Sequence, residues 1–179
     1  MQYLKALNDP LSGCIAECGC FKGLSSYLIA SYLDKIKSNS NLEFHIFDSF
    51  EGLSEKQELD NTQNKIETKG LMRCSLEDVQ KNLSMFSFIT YHKGWIPACF
   101  NEIADDKKYK FVNIDLDLYQ PIKDSLEYFY PKLLDNAYIV IDDYGVKKWA
   151  GVEKAVEEFV AKYKCPCIRT TLGTVVLSK

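Results

Sequence analysis

Two apolar runs of the chain end in clustered carboxylates: Phe111-Val112-Asn113-Ile114-Asp115-Leu116-Asp117, and Tyr138-Ile139-Val140-Ile141-Asp142-Asp143. Apolar, β-branched runs of this length read as buried strands, so the acids stand where each strand leaves its sheet. Open α/β sheets bind ligands beyond the carboxyl ends of their strands, which gathers these aspartates at one edge. Oxygen donors in that number suit a hard divalent cation. A further run, Glu43 to Asp48 (EFHIFD), ends in an acid of its own. An acid in that place can accept hydrogen bonds from a ribose diol.

Glu17-Cys18-Gly19-Cys20-Phe21-Lys22-Gly23 follows the first strand-like run and precedes a helix, where Rossmann-like folds carry their cofactor loop. Its G-x-x-x-G spacing is neither the GxGxxG of dinucleotide binders nor the GK[ST] of a P-loop, which counts against NAD and ATP. Taken with Asp48, it fits a nucleoside cofactor held without a phosphate clamp. Trp95 is a candidate to flank an adenine, although an aromatic at a strand end also serves as packing. Of the two histidines, His45 lies inside a strand, and His92 falls at the active edge beside Lys93-Gly94-Trp95. His92 is therefore one candidate base and Asp115 the other. Asp117 is expected behind the metal ligands or as a cap for the helix after Tyr119. Asp142 and Asp143 are neighbours, so both can face one ion only if the strand has ended before them.

The elements that must position these groups alternate strand and helix. Strands are expected at Gly13 to Cys18, Glu43 to Asp48, Phe88 to His92, Tyr109 to Asp115 and Ala137 to Asp142. Helices are expected at Leu24 to Lys37, from Ser75-Leu76-Glu77-Asp78 with its S-x-x-[DE] capping form to about Leu83, at Ile96 to Ile103, from Pro121 to Tyr130, and at Gly151 to Tyr163. Cys167 to Leu177 reads as two strands joined by a tight turn at Gly173. The order predicts a mainly parallel seven-stranded sheet in a single domain, helices on both faces, with a closing antiparallel hairpin. The polar segment from Ser49 to about Cys74 is the expected mobile loop or lid.

At 179 residues, 46% hydrophobic and 26% charged with a net charge of -3, the chain has the composition of one ordinary globular domain. That balance does not favour nucleic acid or a membrane surface as partner. The first residues lack a signal-peptide core and no stretch approaches a membrane span, so a soluble cytoplasmic protein is expected. The seven cysteines include no CxxC pair and read as reduced, mostly buried thiols rather than a zinc site.

Glu17-Cys18-Gly19 to Gly23 with Ser25-Ser26, Phe47-Asp48-Ser49-Phe50-Glu51-Gly52-Leu53, Gly94-Trp95, Asp115-x-Asp117-x-Tyr119, Tyr130-Pro131-x-Leu133 and Ile141-Asp142-Asp143-Tyr144 occur in this order. Together they resemble the macrocin O-methyltransferase family over about residues 13 to 160. The resemblance implies a class I methyltransferase fold, S-adenosylmethionine as donor, a divalent ion usually assigned as magnesium, and a sugar hydroxyl of a glycan, nucleotide sugar or glycosylated metabolite as acceptor. By position it implies that Glu17, Gly19, Gly23 and Ser25 line the methionine end of the cofactor and Asp48 its ribose. It also implies Asp115, Asp142 and Asp143 as metal ligands, and it admits a homo-oligomer. Leu24, Leu116 and Asp135-Asn136 depart from the family's glycines at their positions, and Leu116 puts a bulky side chain near the metal loop. The rivals are a catechol or phenolic O-methyltransferase and a non-catalytic module that keeps only the cofactor pocket.

Overall fold

The computed structural model describes residues 13–36, 42–60 and 67–179. Strands β1 (Cys14–Cys18), β2 (Phe44–Asp48), β3 (Ile89–Lys93), β4 (Tyr109–Ile114), β5 (Leu133–Ile141), β6 (Cys167–Arg169) and β7 (Val175–Ser178) form one sheet in the order β3-β2-β1-β4-β5-β7-β6. The pairs β3/β2, β2/β1, β1/β4 and β4/β5 are parallel, while β7 runs antiparallel to both β5 and β6. The parallel sheet and its single reversed strand follow the alternation read from the sequence.

Helices α1 (Leu24–Ile36) and α2 (Leu76–Asn82) cover one face; α3 (Tyr119–Phe129) and α4 (Ala150–Tyr163) cover the other. Strand alternation divides the core accordingly: Ile15, Phe44, Ile46 and Phe111 pack toward α1, and Ala16, Phe47, Val112 and Ile114 toward α3 and α4. Ser75 caps α2 as its sequence form requires, its Oγ accepting from Asp78 N at 3.1 Å. The helix expected at 96–103 is a short 3-10 turn, Ala98–Glu102, and β5 starts four residues before the expected Ala137. Asn136, at a position where the family carries glycine, adopts φ 62. All seven cysteines are free thiols, and no helix among the described residues is long and apolar enough to cross a membrane.

The edge holding the strand ends is tied together by backbone bonds that outlast the strands. Gly94 N donates to Asp48 O and Gly19 N to Phe47 O, each at 2.9 Å; Asp115 N donates to Cys18 O at 2.9 Å and Asp142 N to Ile114 O at 3.0 Å. The carboxyl ends of five strands are thereby fixed side by side. Gly19 sits at the tightest crossing, with φ +83 and the Asp115 carbonyl oxygen where a Cβ would project. Gly145 has a similar φ of +78 but open space around it. Gly19→Ala is therefore expected to cost at least about 1–2 kcal/mol more than Gly145→Ala, which bears left-handed strain alone. Equal costs in urea melts would show that the crossing is not tight.

Candidate active site at the carboxyl edge of the sheet

A cavity of about 350 Å³ opens over the tied loops, lined by Gly19, Asp48, Trp95, Asp115, Leu116 and Asp117 together with residues from Ser49 to Asp60. Asp48 ends β2, and its carboxylate gathers backbone amides: Oδ2 accepts from Cys20 N at 2.8 Å and Phe21 N at 3.4 Å, and Oδ1 from Phe50 N at 2.7 Å. It shapes the β1–α1 loop besides facing the cavity. Glu17 is fully buried beneath the start of α1, where Ser25, Ser26 and Asn113 bond its carboxylate, Asn113 Nδ2 at 3.0 Å. Asn113 is its direct cross-strand partner. Burial raises the Glu17 pKa despite these donors. Of the expected cofactor residues, Gly19, Asp48 and half-exposed Trp95 line the cavity, whereas Glu17, Gly23 and Ser25 support its loop from behind.

The acids converge, with one rearrangement. Carboxylate oxygens of Asp115, Asp117 and Asp143 lie within 4.8 Å of one another. Asp142 is exposed and accepts a bond from Thr174 Oγ1 at 3.2 Å, yet its charge is the largest single charge acting on Asp115. The strand has indeed ended: β5 stops at Ile141, and Asp143 at φ 58 turns the chain so that neighbouring acids stand near one site. Asp117, expected behind the ligands or as a cap, is instead buried in the cavity wall with its Oδ1 unpartnered. Its left-handed φ of 62 swings the side chain inward after β4, a bend that strand alternation does not foresee. Burial, then the charges of Asp142 and Asp143, push the Asp115 carboxyl up to about 7. Burial and a bond shared with Asp143 push Asp117 up to about 8, with Lys148 opposing.

His92 does not reach this cavity. Its place on β3 turns it to the α3 side, stacked on Phe47 with ring centroids 4.6 Å apart, its Nε2 3.0 Å from His45 Nδ1 and its Nδ1 3.1 Å from Glu102 Oε2. It is therefore absent from the acids' site, where Asp117 stands instead. His45 continues the chain of contacts to Glu43, whose Oε2 lies 3.2 Å from His45 Nε2 and 3.7 Å from Cys14 Sγ. Lys107 Nζ, 2.6 and 2.7 Å from the two Glu43 oxygens, already supplies the positive charge there. Leu116 lines the cavity as expected from its sequence position.

The fold, the loop pinned by Asp48 and the acid cluster carry their motifs in the order of one family, and the model of that family, macrocin-O-methyltransferase (TylF), matches residues 3–172. The chain belongs to the macrocin-O-methyltransferase family. Within this family it is 25% identical over 164 residues to the 8-demethyl-8-(2,3-dimethoxy-alpha-L-rhamnosyl)-tetracenomycin-C 4'-O-methyltransferase of Streptomyces olivaceus, covering 88% of this chain and 61% of the relative. It is 23% identical to the demethyldecarbamoylnovobiocin O-methyltransferase of Streptomyces niveus, covering 88% of this chain and 62% of the relative. The chain thus spans about three fifths of the length of these curated relatives. Its fold is similar to that of the O-methyltransferase NovP (TM-score 0.78, 20% identity, 99% of this chain and 79% of that one). A calicheamicin methyltransferase gives a TM-score of 0.80 at 19% identity, covering 99% of this chain and 75% of that one. This macrocin-O-methyltransferase family member has a Rossmann-like class I methyltransferase fold.

The raised acids have a consequence for stability in the metal-free protein. Asp115 and Asp117 bind protons more tightly folded than unfolded, so folding gains from them at low pH and loses that gain as pH rises from about 4 through 7 and 8. In chelator, Asp117→Asn is expected to stabilise the protein relative to wild type by an amount that grows between pH 5 and 8. A difference in melting temperature independent of pH would refute the shift.

Proposed function

We propose that this protein is an S-adenosylmethionine-dependent, magnesium-dependent O-methyltransferase acting on a sugar hydroxyl of a glycosylated small molecule. The observation that carries the reading is the cluster of Asp115, Asp117 and Asp143, of which Asp115 and Asp117 line a cavity whose other wall is the Asp48-pinned loop, with the Asp142 charge near enough to act on Asp115. Both curated relatives are named as O-methyltransferases, one of them for a rhamnosyl-bearing compound.

The donor set fits a hard ion: carboxylates crowd together with too little positive charge among them, and one buried oxygen has no partner. Asp115, Asp142 and Asp143 would hold that ion, Asp142 by turning from its single contact with Thr174. Asp48 and the Gly19 loop would hold the nucleoside part of the donor. When bound, S-adenosylmethionine supplies an electrophilic methyl on sulfonium, and the divalent ion supplies acidity to a coordinated hydroxyl.

The chain's own contribution is placement and proton removal. Asp117, buried and left with a free oxygen in the cavity wall, would take the acceptor's hydroxyl proton at Oδ1. Leu116 and Trp95 line the same cavity and would flank the space where that hydroxyl meets the donor. Holding the two reactants in line then lowers much of the barrier.

Calorimetry with S-adenosylhomocysteine and magnesium, beside turnover of a panel of rhamnosides, separates the roles. Asp48→Ala should weaken cofactor binding, and Asp142→Ala should weaken magnesium binding. Asp117→Asn should leave both affinities within about twofold while lowering turnover by about 10² or more, the scale of a lost general base. Turnover that survives chelation, or full activity in Asp117→Asn, would overturn the mechanism. Tight cofactor binding without methylation of any sugar or catechol would leave a binding module.

A further inference from the structure

We propose that Asp60 is a positioning residue: its buried carboxylate latches the cavity wall formed by residues 53–60 to the loop that carries Asp115 and Asp117. Its consequence for the acceptor rests on the methyltransferase reading; the latch itself does not. Asp60 ends a 3-10 turn, Glu58–Asp60, and is 3% exposed. Its Oδ1 accepts from Tyr119 N at 2.6 Å and its Oδ2 from Gln57 N at 3.0 Å. One carboxylate therefore holds both sides of the cavity.

Tyr119 is the first residue of α3, and Leu118 at the cap position has no side chain that could satisfy the helix's free N–H groups. A cap normally comes from the residue next door. Here it comes from 59 residues earlier in sequence, and as an anion it also meets the positive end of the helix. Leu118 N donates to Leu116 O at 2.7 Å, which closes a tight turn around Asp117. Movement of Tyr119 N must therefore pass to the carboxylate of Asp117. On the wall side, Gln57 and Glu55 face the cavity, so the same bond fixes the surface an acceptor would touch.

Gly151, in the first turn of α4, makes room for the latch. A Cβ there would overlap Asp60 Oδ1 and stand 2.9 Å from Tyr119 N. Glycine is a poor residue inside a helix, and its place here is explained by the carboxylate it admits. This gives a test of unusual sign: Gly151→Ala improves helix propensity yet must push the latch open.

The test uses the whole chain with Asp60→Ala, Asp60→Asn, Gly151→Ala and the Asp60→Ala/Gly151→Ala pair. Amide hydrogen exchange without any ligand is expected to rise at least about tenfold at Gln57 and Tyr119 together in Asp60→Ala and in Gly151→Ala, the scale of a lost bond to a charged acceptor. Asp60→Asn, which can still accept from Tyr119 N, should recover protection at Tyr119 more than at Gln57. The pair should be less disturbed than the sum of its parts, because removing the carboxylate at position 60 vacates the space that a methyl at position 151 needs. With p-nitrophenyl α-L-rhamnoside as acceptor, Asp60→Ala should lower kcat/KM at least about tenfold while S-adenosylhomocysteine affinity stays within about twofold. Independent exchange at Gln57 and Tyr119, or unchanged exchange in Gly151→Ala, would overturn the latch. If wild type does not methylate the rhamnoside but the exchange pattern holds, the acceptor reading fails and the latch stands. Coupled exchange with unaltered rhamnoside kinetics would overturn the positioning role.

Discussion

Negative charge held out of water is the constraint around which this domain is arranged. Asp48, Asp60 and Glu17 are each compensated, but by different means: three backbone amides for Asp48, two for Asp60, and side-chain donors from Ser25, Ser26 and Asn113 for Glu17. A buried carboxylate with such donors organises the backbone around it. Asp115, Asp117 and Asp143 lack an equivalent supply and meet chiefly one another. The first group builds the walls; the second is left unsatisfied inside them.

The sheet makes this division possible. Its parallel strands are covered on both faces, so most of their residues are given over to packing, with Glu17 and Asn113, and His45 and His92, as polar pairs inside the layers, and the unsatisfied acids are confined to the carboxyl edge. Backbone bonds between neighbouring loops extend the sheet's rigidity beyond Asp48, Cys18 and Ile114. Rigid loops matter because like charges separate when they can. Gly19 against the Asp115 carbonyl, and Gly151 against Asp60, are two places where a missing side chain lets elements approach closely enough to hold them.

Much of this was legible in the sequence, and the failures are instructive. The β-branched runs, the Ser75 cap and the glycine turns are local signals, so strands, helices and the reversed β7 were readable within a few residues. Family motifs carried Asp48, Asp115, Leu116 and Trp95 to the cavity. What local pattern could not supply was direction. His92 stands at the right strand end, but alternation along β3 and its pairing with His45 turn it into the other layer. Asp117 reads as standing behind the metal ligands or as a cap, and a left-handed φ bends it into the cavity wall. Asp60 lies in a polar stretch that looks like an unstructured lid, and its partners, Tyr119 and Gly151, are too distant in sequence to suggest it. The hydrogen bonds joining Leu53 with Gly70 and Leu71, and Thr68 with Ser54, likewise tie the described residues on its two sides to each other where composition suggested no order.

The unsatisfied acids connect stability with chemistry through a proton. With Asp115 near 7 and Asp117 near 8, the metal-free cluster at neutral pH keeps a proton between its members, consistent with the bond shared by Asp117 and Asp143. A divalent ion binds deprotonated carboxylates and so displaces protons as it binds. The ion's own charge also lowers the proton affinity of the carboxylates around it, so the choice of a base among them rests on geometry. Asp117 holds its proton to the higher pH and keeps an unpartnered oxygen in the cavity wall. A better-solvated cluster would make a more stable metal-free protein, but the same water would return its carboxylates to ordinary acidity and compete for the oxygen on which the proposed role of Asp117 rests.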